Sequence, residues 1–141
     1  MSAILDLRDN SIVSYAIGRH NNNQLVFDTF DKAAAKYPNA RPLFHSDRGY
    51  QYTSKLFKTK LDQAGMKQSM SRVGCCIDNG PMEGFWGIIK SEMYYINSFK
   101  DYDSLATAIE NYIFFYNNER RQKKLNKMSP MTYRQLLENS A

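Results

Sequence analysis

The spacing of apolar residues switches between two periods over residues 1–71, and this switching constrains the fold more than any other feature of the chain. "SAILDLRDNSIVSYAIG" holds two aliphatic runs, Ala3–Leu7 and Ile12–Ile17, on either side of Arg-Asp-Asn-Ser, which predicts a β-hairpin. From Gln24 to Tyr37 the apolar positions Val26, Phe30, Ala33, Ala34 and Tyr37 recur at helical spacing until Pro38-Asn39 stops them. Leu43–Ser46 reads as a short strand. Thr53 or Ser54 then caps a helix whose Leu56, Phe57, Leu61 and Ala64 face inward up to Gly65, and Met66–Ser71 has the polar alternation of an edge strand. Strands alternating with helices predict an α/β domain with a mixed sheet flanked by helices.

Beyond residue 71 the pattern is helical. "VGCCIDNG" has the glycines and Asx residues of a loop, and Asn79 or Gly80 can cap a helix with Pro81 in its first turn. Phe85, Trp86, Ile89, Met93 and Ile96 form the expected buried stripe of that helix. Glu83, Gly87, Lys90 and Tyr94 follow one another on its other face, with Gly84 and Gly87 leaving the surface open nearby. Leu105, Ala108, Ile109, Tyr112 and Tyr116 make another helical stripe, and "SPMTYRQLLENS" reads as a capped short structural helix. The expected division is a core over residues 1–100 and a helical extension of the same domain over 101–141.

At 141 residues the chain is one domain's worth, and 43% hydrophobic residues suffice for a core. No apolar run approaches the roughly eighteen residues of a membrane span, and the N-terminus lacks the pattern of a signal peptide, so a cytoplasmic protein is expected. Cys75 and Cys76 are adjacent, which suits neither a loop-closing disulfide nor a zinc site. The net charge of +5 is concentrated: residues 41–72 hold Arg41, Arg48, Lys55, Lys58, Lys60, Lys67 and Arg72 against Asp47 and Asp62. A local positive field favours a polyanion such as nucleic acid, although a basic segment is often only a solvated face.

Two acids stand out. Asp47 ends the Leu43–Ser46 run and begins "DRGYQYTS"; read alone, it caps a turn. Glu83 shares a helix face with Lys90; read alone, it belongs to a solvated surface. Residues 48 to 82, 35 in all, separate the two acids.

With that spacing, the segments "SAILDLRDNSIVSYAIG", "HSDRGYQYTS", "QSMSRVGCCIDNGPMEGFWGIIKSE" and "YNNERRQKKLNKMSPMTYR" resemble, in order, the catalytic domain of bacterial insertion-sequence transposases of the retroviral-integrase type. The resemblance is greatest to the second-frame product of the insertion-sequence-three family. It implies a ribonuclease-H-like integrase core and a triad of two aspartates and a glutamate, of which Asp47 and Glu83 are the second and third members, both catalytic and metal-binding. It also implies Mg²⁺ or Mn²⁺ in a two-metal site, whose ions sit about 4 Å apart and take hard oxygen ligands. DNA cleavage and strand transfer, DNA as partner, and a cytoplasmic, nucleoid-associated location are implied by the same resemblance. Lys90 is expected beside the DNA backbone, as is Arg48; Tyr50 and Tyr52 could touch DNA, with packing an equal reading for Tyr52. Arg120 and Arg121, at the end of the helical "SLATAIENYIFFYNNERR", are DNA candidates too, although such a cluster also complements the helix dipole.

The first triad aspartate belongs on an opening strand that this sequence does not match. Asp6 falls in "AILDLRDNSIV", which corresponds to the family's second strand and turn, where an acid is present outside the triad. The first strand of the fold is central. Its absence predicts exposed edges that bring marginal stability, pairing with another chain (a homo-oligomer or an intact transposase), or closure by direct pairing of the remaining strands. Three functions are compatible with these residues: a transposase catalytic core, inactive alone; a non-catalytic DNA-binding or transposase-pairing remnant; and a small nuclease using Asp6, Asp47 and Glu83.

Overall fold

The computed structural model describes the backbone of residues 1–141 and every side chain except that of Cys76. The elements in order are β1 (Ser2–Leu5), β2 (Ile12–Ala16), α1 (Asn23–Lys36), β3 (Leu43–Ser46), α2 (Tyr50–Thr53), α3 (Lys55–Gln63), β4 (Lys67–Met70), α4 (Gly80–Ile89), α5 (Tyr102–Asn118) and α6 (Pro130–Asn139). A 3-10 turn, Cys76–Asn79, precedes α4, and a π-helical turn, Lys90–Tyr94, comes directly after it. The chain forms two compact units, Met1–Ile4 with Ser14–Gly80 and Leu5–Val13 with Pro81–Ala141.

The first unit is built on aromatic packing. Phe57 is fully buried, and Phe27, Phe30, Phe44 and Tyr52 surround its ring with centroids 5.3 to 6.0 Å away. Most of these pairs meet edge to face, the arrangement the ring quadrupole favours. Asn22 caps α1 by accepting from the Leu25 N–H, and Ser54 caps α3 by accepting from the Phe57 N–H, so Ser54 rather than Thr53 starts that helix. Gly65 ends the α3 region at φ +69°, where a β-carbon would come within 2.9 Å of Arg41 Nε. Leu56, expected inward, is 66% exposed, because the inward stripe runs through Phe57 and Leu61 one residue later.

β3 and β4 pair in parallel, from Leu43↔Lys67 to Ser46↔Met70, with α2 and α3 as the crossover between them. β1 and β2 form the hairpin. Its first strand stops at Leu5, short of the expected Leu7, because the turn begins at Asp6: the Asp6 carboxylate accepts from the Arg8 N–H, and Asn10 adopts φ 60°. The two pairs are separate sheets. Closure by direct pairing of the remaining strands is therefore not the arrangement adopted; Ile4 of β1 and Phe44 of β3 each pack their side chains on the same core without sharing a ladder.

In the second unit Phe85, Ile89 and Met93 form the buried stripe of α4 and its π turn, and Ile109, Tyr112, Ile113 and Tyr116 that of α5. Ile96, expected in the first stripe, is 72% exposed. The π turn explains this: Tyr95 N–H donates to Lys90 O, five residues back, and the extra residue rotates the next positions by roughly 100° off the stripe. A polar clamp ties the hairpin turn to α6. Arg134 Nε donates to Asp9 Oδ2, Nη2 to Asp6 Oδ2 at 2.8 Å and to Ser11 Oγ at 3.0 Å. Asn117 exchanges two hydrogen bonds with the backbone of Ile12, both residues lying in the second unit.

Candidate active site

Asp47 leaves the end of β3 and is exposed. One carboxylate oxygen, Oδ1, accepts from the Gly49 N–H at 2.7 Å, so the residue is a turn cap, as its local context suggests. That use engages one oxygen and orients the group. A β-carbon on Gly49 would approach Oδ1 to 2.9 Å, which explains a glycine there. The surrounding segment is held on several sides: Ser71 N–H donates to Ser46 O, Arg48 Nε donates to Ser71 O at 2.9 Å, and Tyr50 Oη and Gln51 Nε2 donate to Asn21. Tyr52 packs against Phe57 and Phe44, which settles its role as core; burial, and then the Asp47 charge, push its hydroxyl pKa up. Tyr50 is exposed.

Glu83 stands in the first turn of α4 and is exposed. Around it, β-carbons placed on Gly80, Gly84 or Gly87 would meet nothing within 4 Å, so this helix face is open to approach. Lys90 is exposed two turns on, about 10 Å along the axis, where the π turn begins. Glu83 and Lys90 thus share a face of the second unit, while Asp47 and Arg48 belong to the first. Among the described residues, no three His, Cys, Asp or Glu side chains form a cluster able to hold a metal ion.

The other candidates separate. Arg120 is half-buried and spends its fork on Glu92, Nε to Oε2 at 2.7 Å and Nη2 to Oε1 at 2.5 Å, with Tyr112 Oη donating to the same carboxylate. The Arg120 guanidinium, followed by the Tyr112 bond, holds the Glu92 carboxyl below the usual range against the opposing cost of burial. Burial chiefly, and then Glu92, push the Tyr112 hydroxyl well above the usual phenol range. Arg120 thus turns its fork onto Glu92, whereas Arg121 is exposed. Asp6 is paired with Arg134 at 2.8 Å within the second unit. Within the basic segment, Lys60 and Arg72 pair with Asp31 and Asp78 from outside it, and Lys58 with Asp62 inside it. The local field is therefore weaker than the count of cations implies.

The chain matches two integrase core domain families, one over residues 1–76 and the other over residues 83–136. The first match covers more than half of the chain. The chain belongs to the integrase core family. It is 40% identical over 134 residues to an "uncharacterized transposase-like protein" of Haemophilus influenzae, covering 95% of this chain and 62% of that one. It is 37% identical over 137 residues to the insertion element IS600 31 kDa protein of Shigella sonnei, covering 96% and 50%. It is 28% identical over 132 residues to the transposase InsF of insertion sequence IS3A of Escherichia coli, covering 92% and 46%. The resemblance to integrase-type insertion-sequence transposases holds along nearly the whole chain, which spans about half the length of the relatives it matches. Among the described residues, no helix is long and apolar enough to cross a membrane.

Sequence reading missed the Arg134 clamp, the Arg120–Glu92 fork and an Arg72–Asp78 fork. The last had a signal, an Arg and an Asp bracketing a Gly-containing loop. The first two join residues 28 to 128 positions apart and had none.

Proposed function

We propose that this chain is part of the catalytic core of an insertion-sequence transposase and that Asp47 and Glu83 are two of its three metal-holding carboxylates. The observation that carries the reading is the pair of exposed carboxylates at the two places where the integrase core family match and the spacing of 35 residues coincide: Asp47 at the end of a strand, and Glu83 on an open helix face. Their donor chemistry fits Mg²⁺ or Mn²⁺, which take hard oxygen ligands. Asp47 keeps an oxygen beyond the one bonded to Gly49, and the glycines beside Glu83 leave room for a hydrated ion or a phosphate. When bound, a pair of such ions supplies Lewis-acid activation of the attacking oxygen and steadies the leaving one in phosphodiester cleavage and strand transfer.

The chain's own residues contribute positioning. Gly49 orients Asp47, the face of α4 presents Glu83, and exposed Lys90, Arg48 and Arg121 supply charge toward a DNA backbone. The remaining carboxylate comes from the rest of the longer protein, so this chain alone is inactive and acts in the cytoplasm, at the nucleoid, only with that complement. Adding MnCl₂ to the isotopically labelled chain should broaden amide signals of residues flanking Asp47 and Glu83, and Asp47→Asn or Glu83→Gln should remove the effect at the altered site. Broadening that ignores both substitutions would end the proposal. The unpaired outer edges of β1 and β3 favour a second use of the chain, pairing with another chain of the same family. Concentration-dependent association in sedimentation experiments tests it, and a strict monomer at all concentrations contradicts it.

A further inference from the structure

Residues 72 to 78 lead from the end of β4 to the head of α4, and their two ends are tied together. Arg72 N–H donates to Asp78 Oδ2 at 2.9 Å, its Nε to the same oxygen at 3.1 Å, and its Nη2 to Oδ1 at 3.0 Å. One carboxylate therefore takes a guanidinium fork and a backbone amide from a single residue, the strong, directional form of such a contact. Inside the ring so closed, Cys75 N–H donates to Arg72 O and Asp78 N–H to Cys75 O, and Gly74 adopts φ +74°, a conformation that favours glycine.

Among the described residues of this loop the large apolar side chains, Val73 and Ile77, are 81% and 84% exposed, so they do not pack it down, and the fork ties its ends together. Its ends lead to the two candidate carboxylates. Ser71, immediately before the loop, is buried; its N–H donates to Ser46 O and its carbonyl accepts from Arg48, the two neighbours of Asp47. Asp78 lies in the 3-10 turn whose last residue, Asn79, is followed directly by α4, with Gly80 N–H donating to Ile77 O, and Glu83 comes five residues after Asp78. Arg72, although exposed and part of the basic segment, has its fork turned onto Asp78 rather than outward.

We infer that Arg72 and Asp78 are positioning residues, a clasp that closes the loop and keeps the first turn of α4, which carries Glu83, from fraying. This rests on the reading of Asp47 and Glu83 as metal-holding carboxylates. Hydrogen bonds from Arg72 hold the Asp78 carboxyl down to about 2, below the usual carboxylate range. An exposed ion pair contributes little to global stability, so the clasp should show in the loop and at Glu83 and not in the melting temperature.

The experiment compares the 141-residue chain with Asp78→Asn and with Arg72→Lys, which keeps the charge and the trypsin site but loses the planar fork. Cleavage by trypsin after residue 72 should be about tenfold faster in both variants, because a loop without its closing contact opens more often. MnCl₂ broadening around Glu83 should weaken in both variants while broadening around Asp47 and the thermal midpoint stay unchanged. The exchanged pair Arg72→Asp with Asp78→Arg should restore the Glu83 effect. Cleavage and broadening equal to the unaltered chain, or no recovery in the exchanged pair, would overturn the clasp. If the unaltered chain loses its broadening with Glu83→Gln but keeps it with Asp78→Asn, the clasp alone fails. If the unaltered chain shows no broadening at either acid, the metal reading fails and takes the clasp with it.

Discussion

Asp9 is 1% exposed, and its carboxylate is compensated by Arg134 and by the Ser11 N–H. A buried charge stripped of its partner costs about 3–5 kcal/mol, so Arg134→Ala should lower the stability of the second unit by that order in urea unfolding. Asp6→Asn, at a partly exposed member of the same clamp, should cost less than about 1 kcal/mol. Equal costs would show that the clamp does not work through the buried carboxylate. This pairing is why Asp6, the acid a reader of the sequence would reach for as a replacement ligand, is occupied. Nothing local in "LDLRDN" announces a partner 128 residues away, so its role could not be read there. Asp47 and Glu83 stand out for the opposite reason: their spacing and neighbours along the chain single them out, while hydrogen bonding shows only a turn cap and an open helix face. Arg120 was ambiguous between dipole complement and DNA contact, and its fork on Glu92 gives it a third use within the fold.

α3 and the strands beside it owe their position to one ring. Phe57→Ala should cost about 3–5 kcal/mol, the range for truncating a fully buried aromatic, and should loosen β3 and with it the Asp47 turn. Hydrogen exchange should report lost protection in Leu43–Ser46, whereas Leu56→Ala on the exposed side should leave it intact. The joint between α4 and α5 carries the Glu92–Arg120–Tyr112 network, and its pH dependence comes from the lowered Glu92 carboxyl. A depressed folded-state pKa gives stability that is present above the unfolded value, 4.5, and is lost as the pH falls through the folded one. The melting temperature should therefore hold from neutral pH down to about 5 and fall below 4.5, and Glu92→Gln should flatten that fall. An unchanged acid limb in the variant would remove this network from the account. Periodicity found every one of these helices because an amphipathic stripe is a local property. It misplaced Ile96 because a π turn shifts phase without a residue type that marks it.

At the scale of the molecule, the mixed sheet expected from the alternation of strands and helices is present as two separate two-stranded pairs, β1 with β2 and β3 with β4. The sequence could show that a strand of the family pattern is unmatched, because that is a matter of words in order. It could not show whether the remaining strands would close up, which depends on where the Phe57 cluster holds Ile4 and Phe44. The open edges and the proposed metal-holding role of Asp47 and Glu83 lead to the same expectation, a chain that works together with a further segment of the same family. The most direct measurement replaces the matching half of a full-length transposase relative with this chain and counts transposition in cells. The chimera should transpose, and Asp47→Asn or Glu83→Gln should each reduce the count at least about a thousandfold, as removing a group that acts only as part of a unit does. Transposition that survives either substitution would contradict the assignment of these two carboxylates to the reaction.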